Sequence, residues 1–111
     1  MVIQPAFLDK LQAFRTEIGK PFIINFGESR LRGWRSWKEN SRIDGKLYHP
    51  QGLAADITVE GMSILELARA AKKFGFTGIG MYDTWVHVDM RPMLDDRIVV
   101  WDYRSNKEEA L

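Results

Sequence analysis

Two short segments constrain this chain more than any other feature. In "LAADITV" (residues 53–59) and "WVHVDM" (residues 85–90), apolar and polar or small residues alternate one by one. Successive side chains of a strand point to opposite faces, so each segment reads as a strand with one apolar and one polar face. Leu53, Ala55, Ile57 and Val59 share one face, and Ala54, Asp56 and Thr58 the other. Val86, Val88 and Met90 likewise oppose Trp85, His87 and Asp89. The apolar faces require a helical layer to cover them. His87 and Asp89 are then expected to point away from that core, toward a groove or solvent.

The helices are legible too. Phe7, Leu8, Leu11, Phe14 and Ile18 form one stripe over residues 5–19, with Pro5 suited to the first turn and Gly19 to the C-cap. A second helix is expected over 63–75, where Ser63 and Glu66 have the spacing of a capping box and Gly75 ends the run. "PFIINF" (21–26) reads as a buried strand, and further strands are expected over 77–82 and 97–103. Residues 27–46, rich in Arg, Trp and Gly, read as a long, partly helical surface excursion of the kind that often carries function. The order predicts an α+β domain over residues 1–104, with helices packed on one face of a largely antiparallel sheet. Residues 105–111 read as a frayed polar tail.

At 111 residues the chain suits a single core. It has no cysteine, which excludes disulfides and thiolate metal sites. A formal net charge of +1 gives no global field for nucleic acid or an anionic membrane. Arg30, Arg32, Arg35, Lys38 and Arg42, interleaved with tryptophans, would suit stacking on single strands, but the patch is local. The N-terminus lacks the pattern of a secretory signal, and no run has the length of a membrane span. Synthesis in the cytoplasm without membrane insertion is therefore expected, as a monomer.

The chain has two histidines, His49 and His87. Asp56 follows His49 by seven positions, with Pro50 and Gly52 turning the chain between them. Should the two alternating strands share a sheet, His49, Asp56 and His87 converge on one polar patch. Two imidazoles and a carboxylate suit a catalytic zinc, leaving one position for water. An ordinary turn and a solvated or hydrogen-bonded strand fit the same spacing. No HExxH helix is present.

"HPQGLAAD" resembles the HxxGxAxD signature of the zinc D-alanyl-D-alanine carboxypeptidase and L-alanyl-D-glutamate endopeptidase family, peptidase M15, which shares its fold with the hedgehog signalling domain. "GIGMYDTWVHVDMRP" is similar to that family's second signature. "GWRSWKEN" looks like its GYRS…N segment, and "LDKLQAFRTEIGKPFIINF" like its leading helix and strand. The resemblance implies a single peptidase-like domain with His49, Asp56 and His87 as Zn2+ ligands. It also implies Asp83 as general base, Arg35 as the anchor of a substrate carboxylate, and Asp89 as a residue that orients a neighbour. The substrate would be a peptidoglycan stem peptide, met in cell-wall remodelling or phage lysis at the wall or periplasm after release. A non-catalytic zinc-containing binding domain of the same fold is the alternative. Arg32 and Leu47 depart from the family pattern, which bears on substrate detail more than on metal binding.

Overall fold

A computed structural model describes residues 3–26, 53–92, 97–107 and 109–111. The long excursion of residues 27–46, with Arg35 and the arginine-tryptophan patch, lies outside the described residues, as does His49.

Helix α1 spans Pro5–Ile18, with proline in its first turn and Gly19 as C-cap at φ 72°. That left-handed conformation is cheap only without a Cβ. Phe7, Leu11 and Phe14 are buried as the stripe requires, whereas Leu8, expected on the same stripe, is exposed. Helix α2 spans Ile64–Phe74 and has the expected capping box. The Ser63 hydroxyl accepts from the Glu66 amide, and the Glu66 carboxylate accepts from the Ser63 amide. These bonds satisfy two amides that the first helical turn cannot.

The strands are β1 (Phe22–Asn25), β2 (Ala54–Val59), β3 (Gly78–Met81), β4 (Val86–Asp89) and β5 (Val99–Asp102). They form one sheet in the order β1-β2-β4-β3-β5. Every pairing is antiparallel except β3 with β5. Helix α2 makes the crossover between β2 and β3, and β4 inserts between them. The fold is thus α+β with a mostly antiparallel sheet, as the order of elements predicts.

The core lies on one face of the sheet. Phe7, Leu11 and Phe14 of α1 and Leu67, Ala68 and Ala71 of α2 meet Ala55, Ile57, Val59, Ile79, Met81, Val86 and Val88. Phe14 sits at its centre, 5.1 to 5.5 Å from the rings of Phe22, Phe74 and Phe76. Each large side chain buried here contributes about 1.5–3 kcal/mol. This layer fixes the strand faces, because a one-residue slip would turn every core side chain outward. Among the described residues, no helix is long and apolar enough to cross a membrane.

The last residues are tied down. Ser105 binds Asp83, the Arg69 guanidinium donates to the Ala110 carbonyl, and Leu111 packs against the core. The expected fraying does not describe the residues that make these contacts.

Candidate metal centre on the far face of the sheet

The register that buries the core puts a polar row on the opposite face. Asn25, Asp56, His87, Gly80 and Trp101 are successive partners across all five strands. In the next row Ala54, Asp89, Gly78 and Val99 are partners. The expected alternation holds, and it brings Asp56 directly opposite His87. One expectation is corrected: His87 and Asp89 turn away from the helical core yet are buried, at 2% and 0% exposure.

Trp101 helps cover them. Its indole is 5.1 Å from the His87 ring, and its Nε1–H donates to the Tyr82 hydroxyl at 2.8 Å. The two glycines of "GIG" make room. A Cβ at Gly80 would collide with the Trp101 indole, and one at Gly78 with the Asp89 carboxylate. Trp101 escapes notice in the sequence because it reaches the site through a parallel pairing with a strand distant in sequence.

Both nitrogens of His87 face carboxylates. Nε2 lies 2.7 Å from Asp89 Oδ2, and Nδ1 lies 3.3 Å from Asp56 Oδ1. Burial opposes a charged ring, but hydrogen bonds and charges from Asp56 and Asp89 outweigh it and raise the His87 pKa. Burial also opposes the Asp89 anion, and there the contacts with His87 and Arg91 win, lowering its pKa. Arg91 donates to Asp89 from its amide, Nε and Nη2 at 3.1, 2.9 and 2.7 Å. Sequence reasoning passes over Arg91; the available signal is an arginine two residues after a strand-end aspartate.

The donor set suits a divalent cation. Nitrogen and oxygen ligands around tetrahedral zinc stand about 3.3–3.5 Å apart, given bonds of about 2.0–2.2 Å. The Asp56–His87 separation matches one edge of such a tetrahedron. With Nε2–H donated to Asp89, a cation bound between Nδ1 and Asp56 would take the place of the proton that those two groups share. Among the described residues no group of three His, Cys, Asp or Glu side chains could hold a metal, so this is a pair. The third expected ligand, His49, lies outside the described residues.

Asp83 occupies the β3–β4 hairpin, where the Tyr82 amide donates to the Trp85 carbonyl at 3.0 Å. Its carboxylate is exposed and accepts from the Ser105 amide at 2.8 Å and the Ser105 hydroxyl at 2.7 Å. Those two bonds, backbone first, hold its pKa below the usual value.

The profile of the family described as Peptidase M15 matches residues 2–89, which end with the His87–Asp89 pair. The chain belongs to the Peptidase M15 family. It is 28% identical over 95 residues to the peptidoglycan L,D-endopeptidase MepK of Escherichia coli K12, covering 81% of this chain and 52% of MepK. The MepK of Shigella flexneri matches with the same identity and coverage. This M15 chain spans about half the length of the curated relatives it matches.

Proposed function

We propose that this M15 chain is a zinc peptidase that hydrolyses an amide bond in peptidoglycan stem peptides, of the carboxypeptidase or endopeptidase type. The observation that carries the reading is the opposed pair Asp56 and His87, its separation suited to a shared ion and its imidazole anchored from behind by Asp89. Family membership and the similarity to MepK support it.

In this reading His49, Asp56 and His87 hold the metal. A bound zinc supplies Lewis acidity toward the scissile carbonyl and a water that ionises near neutral pH. Asp89 keeps the Nε2 proton on His87, leaving Nδ1 as the donor. Asp83 takes a proton from the attacking water and returns it to the leaving amine. Arg35 holds a substrate carboxylate through two parallel hydrogen bonds.

A second reading has one observation in its favour. Both oxygens of Asp83 are engaged by Ser105, and its lowered pKa makes it a weaker base. A domain whose hairpin aspartate only ties down the C-terminal segment would bind wall peptides without cutting them.

Digestion of purified peptidoglycan, with mass spectrometry of the fragments, tests the two. The peptidase reading expects stem-peptide fragments that vanish with chelator and return with zinc, their masses naming the bond. Protein carrying one zinc per chain and releasing nothing across the pH range identifies the binding domain.

A further inference from the structure

We propose that Arg91 is a positioning residue for the metal centre, acting through Asp89 to hold His87 with its Nδ1 toward Asp56, against the Trp101 indole. The proposal rests on the metal-site reading above. Arg91 and Trp101 both lie beyond the residues that the family profile matches.

The Asp89 carboxylate, at 0% exposure, is costly to keep ionised without a cation and hydrogen bonds around it. Arg91 supplies both: a guanidinium fork, with Nε on Oδ1 and Nη2 on Oδ2, and its own amide on Oδ1. Oδ2, gripped by Nη2 at 2.7 Å, is the same oxygen that meets His87 Nε2 at 2.7 Å. An ionised carboxylate only accepts, so Nε2 must carry the proton of that bond. Nδ1, the nitrogen opposite Asp56, is then the one a metal would take, displacing the proton it shares with that carboxylate.

Arg91 is itself held at several points. Its carbonyl accepts from the Thr77 hydroxyl at 2.8 Å. Its guanidinium carbon lies 5.1 Å from the Trp101 ring centroid, the same indole that flanks His87. Trp101 is in turn fixed by its bond to Tyr82 and by the absence of a Cβ at Gly80. Arginine and imidazole therefore rest on one aromatic wall with the shared carboxylate between them. A lysine would restore the charge but not the planar fork that sets the carboxylate's orientation.

The test is a zinc-affinity measurement by competition with a chromophoric chelator, run on the wild-type chain, Arg91→Met, Arg91→Lys and Arg104→Met. Visible spectra of the cobalt-loaded proteins are recorded alongside. Loss of a residue that orients a metal ligand costs about 10- to 100-fold in affinity. Arg91→Met is expected to fall in that range and to alter the cobalt absorption bands. Arg91→Lys should recover part of the loss, and Arg104→Met should match wild type. Wild-type affinity together with an unchanged cobalt spectrum in Arg91→Met overturns the proposal. Should that variant not fold without metal, the same result in Arg91→Lys overturns it. A wild-type chain that binds no zinc instead overturns the metal site itself, so the two failures are told apart by the wild-type measurement.

Discussion

Two strands of this sheet end in the same three-residue device. At the end of β4, Arg91 donates to Asp89 from its amide, Nε and Nη2 at 3.1, 2.9 and 2.7 Å. At the end of β5, Arg104 does the same to Asp102 at 3.0, 2.9 and 2.8 Å. Their surroundings differ. The Asp89 side chain is 0% exposed, flanked by strands that place Ala54 and Gly78 opposite it and bonded to His87 of its own strand, whereas Asp102 is 21% exposed on a strand at the end of the sheet order. Arg104 goes on to the Glu109 carbonyl, among residues of the tail. Local spacing makes the fork in both places; the position of the strand decides what the fork holds. An exposed pair is worth about 0–1 kcal/mol, while removing one partner of a buried pair costs about 3–5 kcal/mol.

The largest expected effect would break a simple division between an inner pair that serves chemistry and an outer one that serves the scaffold. Asp83 belongs to the outer region: Ser105 engages both its oxygens, and Arg104 adds a favourable charge. As the proposed proton carrier, Asp83→Asn should keep the metal and lose at least about a hundredfold in kcat. Steady-state hydrolysis together with zinc analysis checks it. Normal turnover would return Asp83 to a purely structural role and restore the division.

A smaller effect sharpens the comparison at the sheet's own geometry. The β3 residue paired with Asp89 is Gly78, whereas the residue paired with Asp102 is Met81, so only the inner pair depends on a missing side chain. Gly78→Ala drives a methyl into the Asp89 carboxylate. Overpacking of this kind costs about 1–3 kcal/mol. Urea unfolding should show that loss, and zinc affinity should fall with it as Asp89 shifts under His87. Unfolding and affinity both equal to wild type would mean that the carboxylate has space to move.

How far the sequence could anticipate this site follows from the range of the interactions involved. Ser63 with Glu66, Pro5, and the glycines at 19 and 75 act within a few residues, and the helices they delimit form as expected. Alternation assigns Asp56, His87 and Asp89 to one face for the same local reason. Alternation does not fix register, and the pairing of Asp56 with His87 comes from α2 carrying the chain across so that β4 enters between β2 and β3. Alternation does not reveal the burial of His87 and Asp89, because the cover of the His87 ring includes Trp101, which pairs in parallel with β3 from a strand beyond it. Arg91 is not legible in the sequence, because "DMR" and "DYR" look alike until the aspartate of one is found bonded to an imidazole. His49 and Arg35 rest on the family resemblance.

The smallest effect belongs to the outer fork and reads out in acid. Hydrogen bonds from the Arg104 side chain hold the Asp102 pKa at about 2, below its ordinary 3.8. A carboxylate whose folded pKa is depressed contributes stability above its unfolded value, and that contribution fades as pH falls from about 3.8 toward about 2. Asp89 is shifted in the same direction, so the wild-type chain should lose stability over the acid range from both pairs. Asp102→Asn removes only the outer contribution, which partial exposure limits to about 1 kcal/mol or less. Urea midpoints measured on the metal-free proteins between about pH 5 and about pH 2.5 should therefore fall nearly as steeply in the variant as in wild type. A flat profile in Asp102→Asn would reverse the ranking, making the outer fork the main source of acid sensitivity and the inner one a bystander in that range.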